Sequence, residues 1–218
     1  QNGDESGIDC GGSCILSCIS ENYKLVTLWS RAFPVADGRY NLMAYVENQN
    51  RESGIARINY EFRVYDENNI FLARREGSTF ITSNDRTAIF EAGIEAGNRV
   101  PSRVDFTFTS APVWIKVNRE QRNALSVSVE DKVISNVFES PKINANVVNN
   151  TLINIKSLDI FVLLYDEQDN VINVSKTFVE YLPKNSKYPV VFTWPESLPK
   201  NPSRIDIFPQ VNIFDLGI

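Results

Sequence analysis

From residue 25 onward, apolar and polar residues alternate with a period of two, and no window repeats at the helical spacing. The clearest run is Ile58-Asn59-Tyr60-Glu61-Phe62-Arg63-Val64. Ile58, Tyr60, Phe62 and Val64 share one face and Asn59, Glu61 and Arg63 the other, which predicts a half-buried antiparallel strand. Shorter strands are predicted before it at 25–29 and 40–46, with Pro34, Asp37 and Gly38 making the turn between them. Others follow at 70–75, 88–94, 104–108 and 113–117. A second series is predicted at 125–129, where Leu125, Val127 and Val129 alternate, and at 143–147, 158–164, 171–174, 190–194, 205–208 and 211–214. In the run 158–164, Leu158, Ile160, Val162 and Leu164 share a face, but the opposite face carries Phe161 and Leu163. A strand apolar on both sides is expected to have its second face covered, by the neighbouring unit or by another chain.

The two series are copies. Tyr65-Asp66-Glu67-Asn68-Asn69-Ile70 returns about one hundred residues later as Tyr165-Asp166-Glu167-Gln168-Asp169-Asn170-Val171. Pro101-Ser102-Arg103-Val104-Asp105-Phe106 returns as Pro202-Ser203-Arg204-Ile205-Asp206-Ile207. Two matches at nearly one offset indicate a tandem duplication. Short strands at intervals of about 8–12 residues then predict an all-β chain of two antiparallel β-sandwiches. The expected organisation is a Cys/Gly/Asp-rich segment over residues 1–22, a first sandwich over 23–118 and a second over 124–218. The polar run Asn118-Arg119-Glu120-Gln121-Arg122-Asn123 serves as the linker. Each Tyr-Asp-Glu motif ends one strand and opens the next, so Asp66 and Asp166 are expected to cap hairpin turns. Adjacent residues on a strand point to opposite faces, so Asp66–Glu67 and Asp166–Glu167 cannot flank one bond as glycosidase carboxylates do.

Composition narrows the function classes. The chain has 218 residues, 43% of them hydrophobic, enough to fill two small cores. A formal net charge of −5, with Arg74-Arg75 the densest basic spot, argues against a nucleic-acid partner. Histidine is absent, which removes the commonest general base and metal ligand together. No Ser sits in a G-x-S-x-G elbow and no Gly-rich phosphate loop follows a strand, so the expectation is a protein that is not an enzyme. Trp29, Trp114 and Trp194 are the candidates for a sugar-stacking surface, yet Trp194 falls on a core strand. No apolar run approaches the roughly 20 residues of a membrane helix. The sequence starts Gln1-Asn2-Gly3-Asp4 without Met, and a mature or trimmed product whose targeting segment lies outside it is expected.

All three cysteines, Cys10, Cys14 and Cys18, lie in the first eighteen residues, among glycines that forbid a stable helix. Cysteines gathered in a short Gly- and Asp-rich loop read as disulfides and hence as an oxidising compartment. Three is odd: one thiol must pair elsewhere, stay free, or have lost its partner. An iron–sulfur or zinc site is the alternative, but the C-x3-C-x3-C spacing lacks a fourth thiolate or a histidine. Asn2, Asp4, Glu5 and Asp9 could supply oxygen ligands to calcium, although their spacing departs from the D-x-[DN]-x-[DN]-G loop. No other cofactor is expected.

Two resemblances bear on these residues. Asn2-Gly3-Asp4-Glu5-Ser6-Gly7-Ile8-Asp9-Cys10-Gly11-Gly12-Ser13-Cys14 resembles the NGDE-x-G-x-DCGG-x-C segment of bacterial surface proteins. There a further cysteine usually stands upstream and the module often follows a membrane anchor, so the resemblance implies that Cys10, Cys14 and Cys18 are structural. Phe62-Arg63-Val64-Tyr65-Asp66 is similar to the signature of the FxLYD domain, an immunoglobulin-like sandwich of bacterial envelopes, with Val64 in place of its Leu. Val162-Leu163-Leu164-Tyr165-Asp166 keeps Leu-Tyr-Asp, with Val where Phe stands. That resemblance implies two tandem immunoglobulin-like sandwiches with no catalytic residues to carry over. Asn149-Asn150-Thr151 and Asn173-Val174-Ser175 fit the glycosylation sequon, a match a bacterial source would make incidental.

Three functions fit. The first is a non-catalytic, envelope-anchored extracellular scaffold or stalk, reaching the membrane only through a segment outside this chain. The second is a subunit of an extracellular filament or surface layer, partnered by copies of itself or other surface proteins and motivated by the two-sided strand and the odd cysteine. The third is a glycan- or protein-binding module using the loops 48–54 and 149–154.

Overall fold

The computed structural model describes residues 4–118 and 126–216. The first series forms β1 (Val26–Ala36), β2 (Arg39–Asn48), β3 (Ser53–Tyr65), β4 (Phe71–Ile81), β5 (Asp85–Glu95), β6 (Arg103–Phe108) and the short β7 (Ile115–Lys116). The second forms β8 (Val127–Ser135), β9 (Lys142–Asn149), β10 (Ile155–Tyr165), β11 (Val171–Leu182), β12 (Ser186–Thr193) and β13 (Arg204–Gln210). Every pairing between these strands is antiparallel. The sheets run β1-β2-β5 and β4-β3-β6 in the first copy, and β8-β9-β12 and β11-β10-β13 in the second. The duplication is therefore one of topology as well as of sequence, and the chain is two tandem antiparallel β-sandwiches of immunoglobulin-like layout.

Period two decides what fills each sandwich. Leu42, Ala44 and Val46 of β2 meet Tyr60, Phe62 and Val64 of β3 in the first core. Ile143, Ala145 and Val147 of β9 meet Ile160, Val162 and Leu164 of β10 in the second, with Phe192 and Trp194. On the polar face of β3, Glu61 is nonetheless buried, because the side chains of Arg63 (2.5 Å) and Arg74 close over it. Burial raises its carboxyl, but the two guanidinium bonds outweigh that and hold it below the usual range.

The second face of β10 is covered from within the chain. Phe161 and Leu163, with Val174 of β11, pack on Phe33, Met43 and Ala88 of the β1-β2-β5 sheet. Trp29, Tyr45, Phe90, Tyr165, Val171 and Phe208 border this seam. The sheets thus stack as four layers: β4-β3-β6, β1-β2-β5, β11-β10-β13 and β8-β9-β12. Polar contacts finish the seam. The Gln210 amide accepts from Ala88 N–H (2.8 Å) and donates to Ala88 C=O (3.2 Å), so it satisfies the free edge of β5 as a strand would. Glu196 accepts from Asp37 N–H at 3.0 Å.

Several expectations are corrected. Pro34 lies inside β1 rather than in a turn. β1 is an edge strand, where the missing N–H costs no ladder bond, and the register slips between Pro34 and Ala36. The closing strand at 113–117 shrinks to Ile115–Lys116, paired with Ser53 and Gly54. Residues 211–214 are not a strand. Asn212 caps a 3-10 turn over Ile213–Asp215, and Phe214 reaches the first sandwich at Gly54, where an added Cβ would stand 2.8 Å from its ring. The linker expected at 118–123 lies, apart from Asn118, outside the described residues, as do Leu125, Asn2 and the outermost ends of the expected domains. Among the described residues no helix is long and apolar enough to cross a membrane.

Candidate functional site

The repeated motifs meet in space, once in each sandwich. In the first, Asp66 Oδ1 accepts from the backbone N–H of Asn68 (2.9 Å) and Ile70 (2.8 Å), closing the β3–β4 turn. Asn69 supplies the left-handed residue at φ 59°, a conformation Asn tolerates. The second motif lies alongside: Ser102 N–H donates to Tyr65 C=O (2.9 Å) and the Arg103 guanidinium sits 4.3 Å over the Tyr65 ring. In the second sandwich, Asp166 Oδ1 accepts from Gln168 (3.0 Å) and Asn170 (2.8 Å), and Asp169 has φ 59°. Ser203 N–H donates to Tyr165 C=O (2.8 Å), and Arg204 lies 3.6 Å over Tyr165. The other carboxylate oxygen faces a cation in both copies, Arg99 at 2.6 Å from Asp66 and Lys200 at 2.9 Å from Asp166. The Ile70 amide, with Arg99, holds Asp66 below its usual range against burial. Lys200, then the Asn170 amide, lower Asp166 to about 2. Both carboxylates are fully engaged in holding a turn, as expected of them.

A third repeated device carries no signature in the sequence. Asn48, at the end of β2, donates to Ser53 C=O and Thr82 C=O (both 2.8 Å) and accepts from Asn50 N–H (3.0 Å). Asn149, at the end of β9, donates to the carbonyls of Ile153 (3.0 Å), Leu182 (3.2 Å) and Pro183 (2.9 Å), and accepts from Thr151 N–H and Oγ1. Both are buried. The loops 48–54 and 149–154 are therefore pinned inward by these amides. The Asn149 sequon is structural, and so is that of Asn173, buried with its Oδ1 accepting from Trp194 Nε1 at 3.0 Å.

The three tryptophans do not form a common surface. Trp194 is in the second core, Trp114 is buried with Ile55, Ile58 and Ile81, and Trp29 packs on Tyr45 and Phe33 at the seam. The seam opens into a groove of about 590 Å³ lined by Tyr45, Asp85, Arg86, Lys132, Asp206 and Gln210, among others. Burial, reinforced by Tyr165, pushes the Tyr45 phenol up to about 12. It remains a neutral hydrogen-bonding group at physiological pH.

At the N-terminus, Cys10 and Cys18 form a disulfide with Cα atoms 5.1 Å apart, and Cys14 is the odd thiol, half-buried and donating to Asp9 C=O at 3.3 Å. The bond is of the kind that persists in oxidising compartments. Of the residues proposed for calcium, Asp4 spends one carboxylate oxygen on Ser13 N–H (3.2 Å) and Oγ (2.7 Å), which lowers its pKa. Asp9 adopts a left-handed backbone at φ 56°. Among the described residues no three His, Cys, Asp or Glu side chains, Asp4, Glu5 and Asp9 included, gather as metal ligands would.

No protein-family model matches the chain, and no curated protein matches it. Among solved structures it is similar to the crystal structure of red sea bream transglutaminase, with 13% identity over 86% of this chain and a TM-score of 0.29. The chain spans 29% of that protein's length, and an overlay at that score bears on neither activity nor partners.

Proposed function

We propose that this chain is a non-catalytic extracellular scaffold of a bacterial envelope. It presents two sandwiches as one fixed block behind a disulfide-tied leader. The observation that carries this reading is the apolar seam of Phe33, Met43 and Ala88 against Phe161, Leu163 and Val174, which sets the relative position of two units that each have a core of their own. Such construction suits a protein whose task is to hold a geometry. The Cys10–Cys18 bond supports an oxidising location, and the anchor follows from the resemblance of the cysteine segment to modules placed after a membrane anchor. The subunit reading loses one of its two motives, because Phe161 and Leu163 are covered within the chain. For the binding-module reading, the junction groove at Tyr45 is a better place for a partner than the pinned loops.

The test is thiol trapping in the native host. Acid-quenched cells are treated with a maleimide polymer, with and without prior reduction, alongside protease treatment of intact cells. At least two thiols that become reactive only after reduction, and digestion from outside, are expected. A protease-protected cytoplasmic protein whose thiols all react before reduction overturns the proposal.

A further inference from the structure

The N-terminal segment is held on the first sandwich by few contacts. Lys116 N–H donates to Ile15 C=O (2.9 Å), Ser17 N–H donates to Trp114 C=O (3.0 Å), Leu16 bridges to Ile115, and the Lys116 ammonium reaches Gly12 C=O. Three of its larger apolar side chains contribute little, since Ile8, Ile15 and Ile19 are 82%, 69% and 66% exposed, which leaves the half-buried Leu16 and the disulfide's own Cys18 as its apolar contacts. Ordering a backbone costs entropy at every residue, and buried apolar surface normally offsets it. Here that surface is small, so most of the order must come from elsewhere. The Cys10–Cys18 bond supplies it by closing a loop over residues 11–17, the stretch that carries these contacts. The loop folds tightly on its own crosslink: a Cβ at Gly7 would stand 2.8 Å from Cys10 Sγ and 2.9 Å from Cys18 Sγ.

What lies beneath the loop is a strand edge. Ile115 of β7 pairs with Gly54 of β3 on one side and with Leu16 on the other. The leader is thus the outer neighbour of β7. Downstream, Tyr23 and Asn50 exchange two hydrogen bonds, Tyr23 N–H to Asn50 Oδ1 (2.7 Å) and Asn50 Nδ2 to Tyr23 C=O (2.8 Å), which fix the chain there independently of the disulfide.

We propose that the Cys10–Cys18 disulfide is a redox-operated clasp. Closed, it holds residues 11–17 along β7. Opened, the segment leaves as far as the Tyr23–Asn50 hinge and uncovers the outer edge of β7, while both sandwiches stay folded. Opening requires a dithiol reductant. Its thiolate attacks one sulfur, the S–S bond breaks, and its second thiol displaces the mixed disulfide. Cys10 and Cys18 end as thiols and the reductant as a disulfide.

The experiment is amide hydrogen exchange on the whole chain, in a Cys14→Ser background that prevents reshuffling. The oxidised protein, the protein reduced with dithiothreitol, and a Cys10→Ser/Cys18→Ser variant are compared. Opening should lower protection at the Ser17 and Lys116 amides about tenfold or more, with the β10 amides unchanged. Equal protection at Ser17 and Lys116 in all three samples overturns the clasp. Loss of protection in β10 as well also overturns it, because the bond would then support the whole fold.

Discussion

Replacing Phe161 by Ala tests whether the seam makes the two sandwiches one thermodynamic unit. Phe161 sits between Ile160 and Val162 on β10, but points away from the core those residues fill. Its ring is buried, 5.7 Å from Phe208 in a stacked arrangement and 6.4 Å from Phe90 edge-on, with Lys176 Nζ 5.7 Å over it. Truncating a buried Phe to Ala costs about 3–5 kcal/mol through lost transfer energy and the cavity left behind. If the chain unfolds as one unit of 218 residues, a change of about 1 kcal/mol moves Tm by roughly 2–4 °C, so a drop of about 6–20 °C is expected. Scanning calorimetry should show one transition in the parent protein and two in the variant, as the sandwiches begin to melt apart. Phe178, on the same face of the same sheet but 54% exposed, is the control, and its replacement by Ala should cost less than about 1 kcal/mol. A Phe161→Ala protein within about 1 kcal/mol of the parent, melting in an unchanged single transition, would refute the reasoning.

Three further outcomes follow from the geometry. Asn149→Ala takes the amide from the Leu182 carbonyl and from Thr151 N–H, while Pro183 C=O keeps Ser186 Oγ and Ile153 C=O keeps Thr151 Oγ1; it should cost about 2 kcal/mol in urea denaturation, whereas a loss under about 1 kcal/mol would show that water replaces the amide. Asp166 has a folded-state pKa of about 2 against an ordinary 3.8, so its stabilisation is complete above pH 4 and disappears as pH falls toward 2. The urea midpoint should therefore fall less between pH 5 and pH 2 in Asp166→Asn than in the parent, and parallel falls would count against the Lys200 contact. Gly54→Ala places a Cβ 2.7 Å from Ile81 C=O and 2.8 Å from the Phe214 ring, and should cost about 1–3 kcal/mol; an unchanged melting temperature would mean that the C-terminal turn does not press on the first sandwich.

Alternation along the chain determined the strands, because the side-chain period of a strand is local and leaves its mark wherever one face is wet. It failed at Pro34, where an edge position excuses the missing donor, and at 211–214, where apolar residues clasp a neighbouring sandwich instead of continuing a sheet. The duplication was legible too, and each pair of matched motifs proved to be the two halves of one corner, Tyr65 beneath Arg103 and Tyr165 beneath Arg204. That Phe161 and Leu163 needed a cover could be read from the sequence, whereas the identity of the cover could not. Met43, Phe33 and Ala88 lie over seventy residues away, and one apolar face carries no address for another. The same limit hid the pairing of Cys10 with Cys18 and the buried amides of Asn48 and Asn149, which look like ordinary loop residues until the carbonyls they satisfy are brought round by the fold. The sequence by itself set the elements and their repetition, since those depend on neighbours along the chain. Only the tertiary structure chose the partners, since contact between distant residues depends on where the whole chain can close without leaving a buried group unmet.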